Sequence, residues 1–346
     1  MRLIVRLRGG GSAFPGLVVE KLDANYAAKV LGKLPYGVCV VSGTNGKTTT
    51  TKIVSELLES QGLHVFTNNT GSNFMRGVIS ALLRRVTLGG NLDADIAVLE
   101  LDEAHAVRFV ERIKPRYSLL LNVMRDQLDR FGEIDYTASL LAKVACATKK
   151  TVVINREDAR LAAIPAHDRL SADVTWYGLA PELRPKFPSD DDLYCEAGDD
   201  ADDDVHSSDA PGASDVRGDV SQSVDDDARD ARTGDSANAS VVLAALNSNT
   251  ATYLMGDEKY TTILSLKGIY NAYNAAGALA LVRSIIKCRP IDKRDAAKQM
   301  NLANQAKRIE QQAKLKQPDK PSGNPRDKRL IGALSRIKGA FGRGET

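Results

Sequence analysis

The sequence predicts an α/β fold in which a mostly parallel sheet is covered by helices on both faces. Three observations carry this. Between residues 37 and 178, short apolar runs alternate with stretches of helical periodicity. A β-branched run at 38–41 passes through a glycine-containing loop directly into an amphipathic helix. Polar residues collect where the apolar runs end, the edge at which open α/β sheets hold ligands.

Strands are predicted at 38–41, 64–67, 96–101, 118–122, 151–154 and 174–177, and helices at 47–60, 74–86, 104–113, 136–147 and 158–164. Three further short strands, at 241–246, 252–255 and 260–266, are separated by turn residues and predict a small antiparallel segment. A helix follows at about 270–286, and a second, with a poor apolar stripe, at about 292–315. Residues 317–329 read as a Pro-, Lys- and Asp-containing connector. Residues 1–36 form an N-terminal lead, 37–286 a central domain, and 287–346 a basic helix and connector.

Charge is strongly segregated, although the net charge is only +3. Residues 190–235 hold 16 Asp and one Glu against three Arg, and 188–240 contain almost no large apolar side chain. Such a segment cannot bury enough surface to offset its ordering entropy, so it reads as a disordered acidic insert. From Lys287 onward, 16 Lys and Arg face six acids. No aromatic residue interleaves with them before Phe341, so a solvated basic helix is favoured over a nucleic-acid surface. There is no run of about 18 apolar residues and no signal-peptide core. The four cysteines form no C-x-x-C pair, so neither a disulfide framework nor a zinc ribbon is indicated, and a cytoplasmic location follows most simply.

The stretch Ser42-Gly43-Thr44-Asn45-Gly46-Lys47-Thr48-Thr49 reads as a phosphate cradle. Its glycines let backbone approach phosphate, and its N–H groups with the helix start supply positive potential. Lys47 can reach terminal phosphates and the Thr48 hydroxyl can ligate magnesium. The loop is shorter than the general G-x-x-x-x-G-K-[ST] form, whose first glycine would fall at Val41. Glu100 ends a strand beside this loop, where a nucleotide fold holds magnesium. Asp102 and Glu103 follow it, either near the metal or in a solvated loop. The segment from Asn122 through Asp126 and Gln127 to Gly132 is dense in polar groups, as a substrate or phosphate site would be, or an exposed loop capping the next helix. Asn271 and Asn274 share a helix face and could read a base edge, or serve as caps.

The G-T-N-G-K-T-T loop, Asn122…Asp126-x-x-Asp129 and G-x-Y-N-x-x-N-x-x-A resemble the Mur ligase superfamily. Most members carry histidine where this chain has Gln127 and Tyr270. Those two replacements resemble one subfamily, the Mur-ligase-like subunit of lipid II isoglutaminyl synthase. The segments 9–16, 67–73, 99–103 and 340–345 are similar to it as well.

The resemblance implies ATP-dependent amidation of the D-glutamate α-carboxylate of lipid II to D-isoglutamine through an acyl phosphate, in peptidoglycan biosynthesis at the inner face of the membrane. It implies ATP and magnesium as cofactors and a GatD-like glutaminase subunit as partner. It assigns Lys47 and Glu100 to catalysis and Thr48 and Glu100 to magnesium. Nucleotide contacts fall on Gly43, Thr44, Asn45, Gly46, Lys47, Thr48, Thr49, Asn271 and a hinge residue, Arg343. Substrate contacts fall on Asn69, Thr70, Asn122, Asp126 and Gln127.

The pattern departs from the family twice. The acidic insert replaces a four-cysteine zinc ribbon, so zinc is not expected. The family also continues past the Phe341-Gly342-Arg343 segment into a C-terminal domain that the sequence to Thr346 does not contain. Another Mur-type or folylpolyglutamate-like amide ligase, or an inactive nucleotide-binding fragment, remains the alternative.

Overall fold

The computed structural model describes residues 14–68, 74–87, 89–124, 133–187, 239–266, 268–287 and 324–338. Its centre is a nine-stranded sheet. In chain order the strands are β1 (Val38–Ser42), β2 (Val65–Thr67), β3 (Ile96–Glu100), β4 (Tyr117–Leu120), β5 (Thr151–Asn155), β6 (Asp173–Leu179), β7 (Ala239–Asn247), β8 (Thr250–Met255) and β9 (Glu258–Ile263). Their spatial order is β2-β3-β1-β4-β5-β6-β7-β8-β9. The first seven are parallel, and β7, β8 and β9 are antiparallel neighbours. The predicted mostly parallel sheet and small antiparallel segment are therefore one continuous sheet.

The described helices are α1 (Phe14–Leu22), α2 (Tyr26–Leu31), α3 (Lys47–Ser60), α4 (Met75–Arg85), α5 (Glu103–Arg112), α6 (Glu133–Ala147), α7 (Ala159–His167), α8 (Ile269–Lys287) and α9 (Pro325–Leu334). Alternation along each strand divides the core into two halves. On β1, Cys39 and Val41 face a cluster with Ile53, Val54 and Leu57 of α3, Leu279 and Leu281 of α8, and Leu330 and Leu334 of α9. Val38 and Val40 face the opposite cluster, with Leu31 of α2, Val78 and Leu82 of α4, Phe109 of α5 and Leu141 of α6. Strands β1, β3, β4 and β5 are buried throughout, as a parallel sheet covered on both faces requires.

The lead 1–36 contains two helices, and several expected element boundaries are corrected. Gly16 of α1 packs so tightly on α4 that a Cβ there would lie 2.0 Å from the Arg76 carbonyl oxygen. The insert was expected to run to residue 240, but Ala239 and Ser240 already belong to β7. Ala239 pairs with Trp176 of β6, and the register shifts at Ser240 before Val241 pairs with Tyr177. The last predicted strand ends at Ile263 rather than 266. The connector at 317–329 is overturned in part, because Pro325–Leu334 is helical. Asn324 caps it by accepting the Arg326 N–H at 3.0 Å, and Pro325 occupies the first turn, where its missing N–H costs nothing. This helix buries Leu330, Ile331 and Leu334, with Ile337 just beyond it, against the central core. Residues 188–238, the helix expected at 292–315 and residues 339–346 lie outside the described residues.

Candidate nucleotide and phosphoryl-transfer site

The site is built where β1, β3 and β4 end. The β1 strand delivers the chain into Gly43-Thr44-Asn45-Gly46, and α3 starts at Lys47. Gly43 has φ +134°, and a Cβ there would sit 2.9 Å from the backbone N and O of Asn122. Gly46 has φ +84° and caps α3 in the left-handed conformation, with Asn274 packed against it. Both positions need glycine, for backbone conformation and for space. Because Gly46 has no side chain, no capping group competes for the first-turn N–H groups of α3. That turn carries no acidic residue, so the helix end keeps its positive potential for an anion.

Asn122 fixes the loop. Its Oδ1 accepts from the Asn45 N–H at 2.8 Å, its Nδ2 donates to the Asn45 carbonyl at 3.1 Å, and its own carbonyl accepts the Thr44 N–H at 2.9 Å. The Met124 N–H adds a bond to Thr44 Oγ1 at 3.1 Å. Expected as a substrate contact, Asn122 thus has both ends of its amide engaged with the loop backbone.

Lys47 is largely covered. Its Nζ donates to the carbonyls of Gly43 at 2.7 Å and Thr44 at 2.9 Å, and lies 3.4 Å from Asp102 Oδ1. Thr48 Oγ1 donates to Glu100 Oε1 at 2.7 Å. Glu100 is only 7% exposed. Its backbone is held by Asn68, whose Oδ1 accepts the Glu100 N–H at 2.9 Å while its Nδ2 donates to the Glu100 carbonyl at 2.8 Å. Thr48 and Glu100 place two hard oxygen donors side by side next to the anion cradle, a donor set that suits magnesium.

The opposite wall comes from α8. Asn274 is buried against Gly46, while Asn271 is half-buried near the helix start. Tyr270 is 50% exposed and meets Phe187 edge-on, with centroids 5.6 Å apart. Beneath them the Tyr273 hydroxyl donates to Asn155 Oδ1, and Asn155 Nδ2 donates to the Leu121 carbonyl at 2.8 Å. The Tyr177 hydroxyl donates to that same carbonyl at 3.1 Å. Loss of hydration holds both phenols well above their usual range, so they stay protonated as donors. Residue 121 precedes Asn122, so this buried network ties the α8 wall to the residue that holds the loop.

The structure therefore brings together Gly43, Thr44, Asn45, Gly46, Lys47, Thr48, Glu100 and Asn122, with Thr49 in the first turn of α3; Asn271 lies three residues before Asn274, which packs against Gly46. Asn69, Thr70, Asp126, Gln127 and Arg343 lie outside the described residues. Sequence reasoning missed the Asn68 clasp on Glu100. The available signal was an Asn directly at the end of a predicted strand, within a segment already singled out. It also missed Asn155 and the two tyrosines, whose roles depend on strand order.

A glycine loop between parallel strand ends and a helix start, with a carboxylate on the neighbouring strand, is the arrangement of a P-loop α/β unit. Residues 41–189 match the model of the Mur ligase middle domain. Among curated proteins, the lipid II isoglutaminyl synthase (glutamine-hydrolyzing) subunit MurT of Staphylococcus aureus is 29% identical over 170 residues, 49% of this chain and 37% of that protein. The subunit of the same name from Streptococcus pneumoniae is 35% identical over 148 residues, 42% of this chain and 32% of that protein. The chain spans about a third of the length of these curated relatives. Among solved structures, MurF from Acinetobacter baumannii superposes with a TM-score of 0.56 at 14% identity, covering 94% of this chain and 50% of that one. MurF ligase from Thermotoga maritima in complex with ADP gives a TM-score of 0.52 at 18% identity, covering 80% and 51%. These two likenesses establish the fold.

Proposed function

We propose that this chain is the nucleotide-binding core of an ATP-dependent carbon–nitrogen ligase that amidates the α-carboxylate of D-glutamate in lipid II. The observation that carries the reading is the convergence of Lys47, Thr48 and Glu100 at one strand edge, in a chain of which just under half is 29–35% identical to two subunits named MurT. A carboxylate is a poor electrophile, because its oxygen is a poor leaving group. Transfer of the ATP γ-phosphoryl group to it makes an acyl phosphate, and ammonia then displaces phosphate to leave an amide.

The residues fit that demand. Nucleotide phosphates replace the carbonyl contacts of Lys47, whose ammonium then offsets the charge that develops on the transferred group. Thr48 and Glu100 would hold magnesium, which would supply positive charge to offset that of the phosphates. Backbone N–H groups from Gly43 to Thr49 cradle the phosphates. Asn271 reads the adenine edge beside Tyr270. Asn69, Thr70, Asp126 and Gln127 are proposed to contact substrate, and Arg343 to contact phosphate. Asn122 is a loop-positioning residue. Ammonia comes from a glutaminase subunit. Among the described residues no helix is long and apolar enough to cross a membrane; the encounter with lipid II is proposed to take place at the inner face of the membrane.

The test uses lipid II carrying ¹⁸O in the D-glutamate α-carboxylate, with this protein, magnesium–ATP and either glutaminase with glutamine or free ammonia. The acyl-phosphate route moves one ¹⁸O into the released phosphate as the amide forms. Phosphate released without ¹⁸O, or no isoglutamine with either nitrogen source, would contradict the proposal.

A further inference from the structure

A second polar cavity lies away from the P-loop, between α1, α4 and α5, with a volume of about 320 Å³. That is near the lower end of small-ligand pockets, about 300–1,000 Å³. Arg76, Arg108 and Arg112 line it with Glu20, Phe74 and His105. The Glu20 carboxylate is a shared clamp. One oxygen accepts from Arg76 Nε and the other from Arg112 Nη1, both at 3.1 Å. Each guanidinium commits one donor there and makes no other hydrogen bond among the described residues. Arg108 makes no hydrogen bond or ion pair among the described residues, and Glu111, the other acid on the wall, is bonded to none of the three. Three arginines against two glutamates leave a net positive cavity whose cations are held in place by a buttress, not neutralised one by one.

The cavity's position follows from the fold. His105 lies in the first turn of α5, three residues after Asp102, which reaches Lys47. Arg108 and Arg112 follow at three- and four-residue spacing on one helix face. From His105 to Arg112 the helix rises about 10 Å, at about 1.5 Å per residue. The groove thus starts at the reacting edge of the sheet and leads away from it. Phe74, stacked obliquely on His105 with centroids 5.6 Å apart, gives its upper end an apolar wall.

We propose that this cavity binds a diphosphate group, the anion that links sugar to lipid in the substrate read above. Only the naming of that substrate rests on the proposed function. Planar guanidiniums with free donors around a preset carboxylate clamp match two adjacent phosphates, and Arg108 supplies the uncommitted charge. The same chemistry is offered by anionic phospholipid headgroups, so the experiment separates the two sources.

Inorganic pyrophosphate is titrated into the protein by calorimetry at two salt concentrations, in the wild type and in Lys47→Ala, Arg108→Gln and Arg85→Gln variants. Two classes of site are expected. One is removed by Lys47→Ala, and the other is weakened about tenfold by Arg108→Gln, as loss of a charge-assisted contact implies. Arg85→Gln, on α4 but outside the cavity, is expected to change neither. Farnesyl diphosphate below its micelle concentration should behave as pyrophosphate does at the Arg108 site. ATP binding by Arg108→Gln should stay at the wild-type level, which separates failure here from failure of the nucleotide reading. Pyrophosphate binding that depends on Lys47 alone would overturn the proposal. So would binding to phosphatidylglycerol vesicles that depends on Arg108 while pyrophosphate binding does not.

Discussion

Asn122 brackets the peptide of Asn45 from both sides, accepting its N–H at 2.8 Å and donating to its carbonyl at 3.1 Å. The end of β4 is thereby fastened to the phosphate loop, and Asn155, Tyr177 and Tyr273 fasten β4 in turn to the α8 wall. The loop is thus held in shape by groups from β4, β5, β6 and α8. Ordering that loop on binding would otherwise cost affinity.

Asn122→Ala is therefore expected to loosen the loop without removing any proposed ligand contact. Two hydrogen bonds of about 0.5–1.5 kcal/mol each are lost. The expected result is a drop of about 1–3 kcal/mol in denaturant stability or in ATP affinity, shared between the two. Denaturant titration with and without ATP measures the split. An unchanged variant in both would show that the bracket is idle.

Glu100→Gln separates metal from structure. The backbone clasp by Asn68 and a hydrogen bond to Thr48 can both persist in the amide, so the melting temperature should change little. The magnesium-dependent gain in ATP affinity should shrink about tenfold or more, because a neutral amide replaces a hard anionic donor. Titrating ATP with magnesium and with EDTA reads this directly, and an undiminished magnesium effect would remove Glu100 from the site.

Gly16→Ala tests the packing of the lead. The new Cβ would lie 2.0 Å from a backbone oxygen of α4, and Ser80 Oγ, which accepts the Gly16 N–H, is 2.7 Å away. Backbone cannot yield cheaply, so overpacking of about 1–3 kcal/mol is expected. Chemical denaturation of the variant measures it, and wild-type stability would mean that α1 does not dock as described.

The junction of β9 with α9 sets a pH window. Glu258 accepts from the Tyr260 hydroxyl and the Asn324 N–H, which hold its carboxyl below the ordinary 4.5. Its contribution is present above that value and fades as pH falls through the lower folded value. Tyr260 is pushed up to about 12, by lost hydration first and by its bond to Glu258 next. Its contribution is full below 10 and fades as pH rises toward 12. Stability of the α9 contact should thus be flat from about pH 5 to 9, with Glu258→Gln flattening the acid limb. Hydrogen exchange of α9 amides across that range checks it, and an acid limb identical in the variant would contradict the assignment.

The sequence was legible where local pattern and tertiary role agree. The helix 47–60 was placed to the residue, because a glycine stop, a polar first turn and an apolar stripe coincide. The parallel strands were found because both faces are covered and the runs are continuously apolar. α9 was missed because Pro325 reads as a breaker, although after Asn324 it occupies the one helical turn that tolerates it. The loop contacts of Asn122 were not legible for another reason. A polar residue at a strand end looks the same whether its amide meets a ligand or the neighbouring loop, and only the adjacency of β4 to β1 decides. The Glu20 clamp joins residues 56 and 92 positions apart, which no local pattern announces.

The central claim is that the loop from Gly43 to Thr49 binds nucleotide phosphate through Lys47. Calorimetric titration of magnesium–ATP into the wild-type protein and into Lys47→Ala tests it most directly. The account predicts saturable one-to-one binding to the wild type and a loss of about 1.5–3 kcal/mol or more in the variant, the worth of a charge-assisted contact. Equal affinity in the two proteins would contradict it.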